Sequence, residues 1–280
     1  MDDAAVLPDE NGFLVLTHDM LVENVHYLSE DPPEDVAWKL LAVNLSDLAA
    51  KAATPVGCLL GYTLGDDPDW NARFVTGLGE ALRYFNVPLL GGDTVSSSGP
   101  RVLGLTAVGR TAFAPDRRAA KAGDDLWVAG AIGDAGRGLA LLLAGETEPA
   151  ALVATYRRPM PLLDIGQVLG GHIAAMADVS DGLLIDGRRM ADASGLAVTI
   201  NLDAAPIASP DRLAAATAGD DYALIFAAPE AKRDVIFTLL QPFGVSFARI
   251  GRFSPGTGLS VADGRGAVPL PAALGYEHGA

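Results

Sequence analysis

The chain has 280 residues, of which 35 are Asp or Glu and 20 are Lys or Arg, so its formal net charge is −15. This charge argues against a nucleic-acid-binding surface, because affinity for a phosphate backbone requires clustered cations. Half of the residues are apolar, which is enough for one large or two ordinary domains without disulfides.

Strand-like and helix-like segments alternate along the first 110 residues. Strands are predicted at residues 13–16, 57–64, 87–90 and 102–108, and a helix at residues 70–84. Another helix is predicted to start after Pro32, where Glu34 and Asp35 follow two prolines. In that helix the apolar residues recur at helical spacing, and Asp47 lies on a separate polar stripe.

Residues 111–123 are small and polar, and we interpret them as a linker between two domains, residues 1–112 and 113–280. Strands are then predicted at residues 126–129, 173–177, 197–200, 222–227 and 245–250. Helices are predicted at residues 137–143, 183–193 and 231–240. Mixed strands and helices in both halves predict an α/β, or mixed α+β, fold in two domains.

The cellular compartment is predicted from what the sequence lacks. The N-terminus has no basic segment followed by an apolar one, and no stretch approaches the roughly 18 apolar residues of a membrane span. Cys58 is the only cysteine, so no internal disulfide can form, and its apolar surroundings predict a buried, unreactive thiol. We therefore expect a cytoplasmic protein that binds no membrane.

Acidic residues recur at the ends of apolar runs. They are Asp3, Asp19, Asp93, Asp178 and Asp181, and Asp47 adds one from a helix. Carboxylates that converge on rigid elements could not all stay ionised unless cations lay between them. Mg²⁺ prefers carboxylate oxygens, and substrate phosphates usually complete its coordination. The pattern therefore predicts a nucleotide held through Mg²⁺.

Each of these motifs also has a purely structural interpretation. Asp2-Asp3 alone is better explained as a frayed terminus, and Asp47 alone as a solvated helix position. Gly91-Gly92-Asp93-Thr94 is typical of a turn, although paired glycines also let the backbone approach a phosphate. Ser180 and Asp181 suit a helix N-cap, although a helix N-terminus is also an anion site.

Several other nucleotide-binding and catalytic motifs are absent from the sequence. No lysine follows a glycine, which excludes a Walker A loop, and the His-Arg-Asp and Asp-Phe-Gly motifs of protein kinases are missing. Gly77-Leu78-Gly79 does not open a helix after a strand, so a dinucleotide fingerprint is not supported. The four histidines lack zinc-ligand spacing, and no Gly-x-Ser-x-Gly occurs.

Seven segments stand in one order over nearly the whole chain. They are Asp2-Asp3-Ala4-Ala5-Val6-Leu7, Thr17-His18-Asp19, His26, Ala42-Val43-Asn44-Leu45-Ser46-Asp47-Leu48-Ala49-Ala50, Gly91-Gly92-Asp93-Thr94, Ala177-Asp178-Val179-Ser180-Asp181-Gly182-Leu183 and Gly219-Asp220-Asp221-Tyr222. In these segments the chain resembles the thiamine-monophosphate kinase family, which belongs to the superfamily typified by aminoimidazole ribonucleotide synthetase.

The resemblance implies an activity and an architecture. The activity is phosphorylation of thiamine monophosphate to thiamine diphosphate by direct in-line transfer from ATP, assisted by Mg²⁺. The implied N-terminal domain binds ATP and Mg²⁺, and its sheet meets the sheet of a second copy in a homodimer. ATP is expected between this domain and a C-terminal α/β domain.

The resemblance also implies the site residues, position by position. The implied metal ligands are Asp3, Thr17, Asp19, Asp47, Asp93, Asp178 and Asp181. The implied ATP contacts are Gly92, Asp93, Arg117 and Ser180, and the implied thiamine contacts are His26, Asp220 and Tyr276. Asp220 stands where the family commonly has Glu. We assign no general base, because the accepting phosphate oxygen is already ionised at neutral pH.

Two alternative functions remain open. Another ATP-dependent synthetase of the superfamily would share the fold motifs, although His26 and residues 44–50 favour the kinase. A catalytically impaired paralogue is the second alternative, because the family has further residues ahead of Asp2-Asp3. Such a paralogue would bind Mg²⁺ and nucleotide without forming ADP.

Overall fold

Two β-sheets with helices packed against them account for most of residues 2–277, the part of the chain that the computed structural model describes. The first sheet contains β1 (Ala5–Asp9), β2 (Gly12–Val22), β3 (Thr54–Leu64), β4 (Leu89–Ser96) and β5 (Val102–Thr111), in the order β1-β2-β5-β3-β4. β3 and β4 run parallel, and the other neighbouring strands run antiparallel. The helices of this half are α1 (Pro33–Ala50) and α2 (Pro68–Tyr84).

The second sheet has seven strands in the order β12-β11-β8-β10-β6-β9-β7. They are β6 (Asp125–Ala129), β7 (Ala175–Val179), β8 (Leu196–Asn201), β9 (Ala223–Ala228), β10 (Phe247–Pro255), β11 (Gly258–Asp263) and β12 (Gly266–Val268). The accompanying helices are α3 (Asp134–Leu143), α4 (Ala150–Arg157), α5 (Leu163–Leu169), α6 (Leu183–Ala193), α7 (Arg212–Thr217) and α8 (Arg233–Leu240). β6, β7 and β9 are buried throughout, as expected of strands that are covered on both faces.

Helix α1 is buried on nearly all sides, because it packs against both sheets. It starts with a proline and has Glu34 and Asp35 in its first turn, as predicted. Its C-terminal end, at Ala49 and Ala50, joins the apolar cluster of Trp127 and Phe226 from the second sheet. The interpretation of Asp47 as a solvated helix position is therefore wrong, since only 8% of this residue is exposed.

Every strand and helix predicted from the sequence occurs in the structure with the predicted type. The elements that were not predicted are β1, β11, β12, α4, α5 and α7. These helices have six to eight residues, which is too short for a clear period of 3.6. Cys58 is buried, as predicted, and burial raises the pKa of its thiol to about 11. Among the described residues, no helix has the length and apolar character needed to cross a membrane.

The segment Gly91-Gly92-Asp93-Thr94 lies inside strand β4, so the prediction of a turn is wrong. β4 is the exposed edge of the first sheet rather than the predicted buried strand, with Leu89 46% and Leu90 58% exposed. Gly92 pairs with Leu60 of β3, and a Cβ atom at Gly92 would lie 2.0 Å from the Leu60 carbonyl oxygen. The close pairing of β3 with β4 therefore requires a glycine at this position.

We expect Gly92→Ala to lower the free energy of unfolding by ~1–3 kcal/mol more than Gly91→Ala, because only the first substitution forces a Cβ atom against a backbone carbonyl. Gly91 is a matched control. Its φ is 156° against 159° for Gly92, and its Cβ atom would make an ordinary 3.7 Å contact. Urea denaturation of both variants measures the difference, and equal destabilisation would contradict this explanation.

Candidate active site

A cavity of about 750 Å³ lies between the two sheets, beside α1. Both sheets and their helices contribute to its walls. Asp19 comes from β2, Asp47 from α1 and Asp178 from β7, while Ser180 and Asp181 lie on the segment from β7 to α6. Residues far apart in the sequence are therefore brought into one site by the packing of the second sheet against α1.

Three carboxylates at one end of the cavity form a compact cluster. Asp3, Asp47 and Asp178 each offer an oxygen, and these oxygens lie within 4.8 Å of one another. The Asp3 side chain is 3% exposed and forms ion pairs with Arg117 and with Lys51, at 3.0 Å for the latter. The frayed-terminus interpretation of Asp2-Asp3 is therefore wrong. We call this end, together with Asp19 and Asp181, the carboxylate end.

Neighbouring polar groups hold these carboxylates in place. Thr17 donates its hydroxyl hydrogen bond to Asp47, and Ser46 donates one of 2.7 Å to Oδ2 of Asp178. The backbone N–H of Asp19 donates to Oδ1 of Asn44 over 3.0 Å. The sequence pattern suggested that Asp19 lies at the end of a strand, whereas it lies inside β2. Helix α1 thus orients groups from both sheets.

Cations that the sequence did not assign to the site surround this end. Lys51 is buried, and its Nζ lies 2.5 Å from Oδ1 of Asp2. Arg189 of α6 lies 2.5 Å from Oδ2 of Asp181 and 2.9 Å from Oδ1 of Asp186. The sequence feature that could have assigned Lys51 to the site is its position on the polar stripe of the predicted helix, four residues after Asp47.

The Ser180-Asp181 segment does not cap helix α6. The N-cap position of α6 is Gly182, which makes no side-chain capping hydrogen bond. The N–H of Asp181 donates instead to Oδ2 of Asp186, over 3.0 Å. The N-cap interpretation of Ser180 and Asp181 is therefore wrong, and both residues line the cavity.

The rest of the cavity is lined mainly by apolar and aromatic side chains. They are Met20, Leu21, Val25, Val43, Leu139, Tyr222 and Tyr276, and the polar residues among them are His26 and Asp220. The backbone N–H of Val22 donates to Nδ1 of His26 over 3.0 Å, so a neutral His26 ring carries its proton on Nε2. We call this the aromatic end.

The two adjacent aspartates of Gly219-Asp220-Asp221-Tyr222 have different partners. Asp220 accepts hydrogen bonds from Lys39 at 2.9 Å and from the Tyr222 hydroxyl at 3.1 Å. Asp221 accepts one of 2.7 Å from the N–H of Gly133, at the start of α3. Burial raises the pKa of Asp221 to about 8. Asp220 therefore faces the cavity, whereas Asp221 stabilises a helix terminus.

Two predicted site residues, Gly92 and Asp93, do not reach the cavity within one chain. Asp93 pairs with Gly61, Gly61 with Gly104, and Gly104 with Met20. Three strand spacings separate Asp93 from β2, which is about 14 Å. Asp93 shares its face of the sheet with Met20, which lines the cavity, so the distance across the sheet is what separates Asp93 from the cavity.

The other predicted residues lie in or beside the cavity. Those that line it are Asp3, Asp19, His26, Asp47, Arg117, Asp178, Ser180, Asp181, Asp220 and Tyr276. Thr17 lies behind Asp47, to which it donates its hydrogen bond. Ten of the site residues that the resemblance implies thus line one cavity.

Comparison with known proteins identifies the family. The sequence profile described as the N-terminal domain of AIR synthase related protein matches residues 1–111, and the profile of the C-terminal domain matches residues 121–264. A thiamine-monophosphate kinase from Caulobacter vibrioides is 40% identical, in an alignment that covers all of this chain and 84% of that protein. The chain belongs to the thiamine-monophosphate kinase family. The family prediction from the sequence motifs is therefore confirmed.

Solved structures of the thiamine-monophosphate kinase family share the fold. The enzyme from Stenotrophomonas maltophilia K279a is 35% identical, with a TM-score of 0.84 over 93% of this chain and 91% of that one. A structure described as AaThiL complexed with AMPPCP and TMP is 30% identical, with a TM-score of 0.86 over 99% of this chain and 91% of that one. The predicted fold class, mixed α/β with two domains related to aminoimidazole ribonucleotide synthetase, is confirmed.

In this member of the thiamine-monophosphate kinase family, crowding changes the ionisation of the carboxylate end. Burial raises the pKa of Asp47, and the charge of Asp178 raises it further. Burial likewise raises the pKa of Asp178, with a contribution from Asp3, and it raises the pKa of Asp19. A cation among these groups would favour their ionised forms.

The donor set fits a hard divalent cation. All of the clustered donors are carboxylate oxygens, which Mg²⁺ prefers. Within the described part of the chain, Oδ2 of Asp3 is buried and accepts no hydrogen bond, although Nζ of Lys51 lies 3.0 Å away. Such an oxygen retains an unused lone pair, as a metal ligand would.

These pKa shifts predict how stability depends on pH when no divalent cation is present. The raised pKa values mean that the folded chain retains protons that the unfolded chain releases above about pH 4. The free energy of unfolding should therefore fall as pH rises from about 5 to about 8, and Mg²⁺ should stabilise the protein more at the higher pH.

Chemical denaturation in a chelator, with and without added Mg²⁺, measures this dependence. Asp178→Asn should flatten the pH dependence, whereas Asp192→Asn, at an exposed position on α6, should leave it unchanged. Asp221 contributes equally to the pH dependence of the wild type and of both variants. Identical pH profiles for the wild type and Asp178→Asn would contradict the prediction.

Proposed function

We propose that this chain transfers the γ-phosphoryl group of ATP to thiamine monophosphate, forming thiamine diphosphate and ADP. The observation that carries the proposal is one cavity with a carboxylate end and an aromatic end. The first suits two phosphate groups with their cations, and the second suits an aromatic substrate body. The relatives named thiamine-monophosphate kinase support this function, as does the relative complexed with AMPPCP and TMP.

The carboxylate end would hold Mg²⁺ through its clustered oxygens. We assign this role to Asp3, Asp19, Asp47, Asp178 and Asp181, with Thr17 orienting Asp47 through its hydroxyl. When bound, Mg²⁺ neutralises charge on phosphate oxygens. Ser46 would keep Asp178 in one orientation by its 2.7 Å hydrogen bond.

The chain's own cations would complement the phosphates. Arg117 lines the cavity and is paired with Asp3. A guanidinium group can form two parallel hydrogen bonds to a phosphate group, so we assign Arg117 and Ser180 to the nucleotide. No proton has to be removed from the acceptor, because its phosphate oxygen is ionised at neutral pH. Catalysis would therefore rest on positioning and electrostatics.

The aromatic end would hold the thiamine part of the acceptor. The imidazole of His26, the carboxylate of Asp220 and the aromatic ring of Tyr276 belong to residues that line the same cavity. Met20, Leu21 and the other apolar residues named above would exclude water from the bound ring system.

Gly92 and Asp93 are better explained by a homodimer. The face of the first sheet that carries Asp93 exposes large apolar side chains, among them Leu59 at 43% and Val95 at 53%. Exposed apolar side chains on one face of a sheet are typical of a protein interface. We infer that a second copy covers this face and that Gly92 and Asp93 contribute to the nucleotide site of that partner.

The domain and compartment predictions from the sequence are retained as parts of the proposal. The matched segments 1–111 and 121–264 leave residues 112–120 between them, in support of a boundary at about residue 112. The cytoplasm is the compartment we propose for this metabolic reaction.

Mixing two inactive variants tests the homodimer. Asp93→Asn and Asp178→Asn should each abolish activity, whereas an equimolar mixture of the two variants should regain about one quarter of wild-type activity after subunit exchange. Half of the dimers after subunit exchange are mixed, and in each of them one site combines an intact Asp178 with the partner's intact Asp93. If both residues act within one chain, mixing restores nothing. Gel filtration before and after exchange shows whether dimers persist.

A coupled assay of ADP formation tests the reaction itself. Purified protein with ATP and Mg²⁺ should form ADP when thiamine monophosphate is added and none with thiamine alone, because the acceptor must carry a phosphate. Turnover only with thiamine would contradict the assignment. No turnover with either acceptor would favour the impaired paralogue or another synthetase of the superfamily.

A further inference from the structure

Lys39 is a charged residue of helix α1 to which neither the sequence motifs nor the cavity lining assigns a role. Its side chain is only 2% exposed. Burial of an ammonium group is costly unless other groups replace the lost water. The partners of Lys39 therefore indicate what it does.

Three groups surround Nζ of Lys39. Oδ2 of Asp220 lies at 2.9 Å, the carbonyl oxygen of His26 at 3.0 Å and the ring centroid of Tyr156 at 4.1 Å. Two of these partners belong to residues at the aromatic end of the cavity, one from each half of the chain. Lys39 itself is absent from the lining, so it acts on the cavity only through His26 and Asp220.

Asp220 is held by further contacts as well. Its φ is +68°, in the left-handed region that Asp adopts more readily than most residues other than glycine. Its N–H donates to the Ser180 carbonyl over 2.8 Å, and its Oδ1 accepts from Tyr222 at 3.1 Å. Lys39 supplies the cation for the other carboxylate oxygen.

We propose that Lys39 is a positioning residue, which orients Asp220 and the His26 segment for binding of the thiamine end of the acceptor. The inference rests on the proposed function, since it concerns the same cavity. One ammonium group holds two cavity residues that are 194 positions apart, because it bonds a backbone carbonyl at one and a carboxylate at the other. The carboxylate end has its own cations, Lys51, Arg117 and Arg189.

This separation predicts a selective kinetic effect. Lys39→Met should raise KM for thiamine monophosphate about tenfold or more, because hydrogen bonds to charged groups are among the stronger ones. KM for ATP should change less than about twofold. Lys39→Arg, which keeps the charge, should recover part of the loss. In an Asp220→Asn background, Lys39→Met should add little further change, because both substitutions break the same contact.

Arg157→Met is the matched control. Arg157 of α4 pairs with Asp31 at 2.7 Å, and Asp31 is 3% exposed, but neither residue lines the cavity. This variant should lower the melting temperature without changing either KM. The inference is overturned if Lys39→Met lowers only the melting temperature, or if it raises both KM values equally. If Lys39→Met does not fold, Lys39→Arg and the double variant give the same comparison.

Calorimetric titration with thiamine monophosphate separates this inference from the proposed function. If the wild type binds thiamine monophosphate without turnover, the proposed reaction is contradicted. The role of Lys39 is then still tested by comparing Kd for thiamine monophosphate between the wild type and Lys39→Met. Binding that is equally tight in both proteins would overturn the role of Lys39. No binding by the wild type would overturn both.

Discussion

Burial of charge along helix α1 is the constraint on which the rest of the structure depends. The helix lies between two sheets, yet it carries Lys39 and Asp47, with Lys51 directly after its last residue, at positions that are at most 8% exposed. Water cannot compensate these charges, so other elements must supply partners. Asp220 meets Lys39, Asp2 and Asp3 meet Lys51, and Asp47 faces the carboxylate end of the cavity.

Close approach of the second half of the chain to α1 makes this pairing possible. Ala49 and Ala50 are small enough to let the Trp127 and Phe226 cluster pack against the helix. A Cβ atom at Gly166 of α5 would lie 2.1 Å from the Ala49 carbonyl oxygen, so a larger residue would push the two helices apart. The cavity is thus a product of helix packing, and its charged walls come from both halves.

The cavity combines two kinds of chemistry. Carboxylates, with Arg117 and Arg189 among them, occupy one end, where phosphates and cations would meet. Apolar and aromatic side chains occupy the other, where one charged group, Asp220, is held by Lys39. This arrangement explains how a chain with a net charge of −15 can accommodate two anionic substrates, because its excess acids bind the cations that those substrates require.

Local pattern in the sequence was sufficient for the types of the long elements, and the resemblance of its motifs to a known family gave the family and half of the residues that line the cavity. Period and turn chemistry are local properties, and motifs such as residues 177–183 keep their spacing in any fold that contains them. Only the tertiary structure decided that Asp47 is buried, that Gly92 pairs closely with Leu60, and that β3 and β5 separate Asp93 from β2. It alone revealed the contact of Lys39 with Asp220, 181 residues away, because packing between distant elements leaves no periodic signal in the sequence.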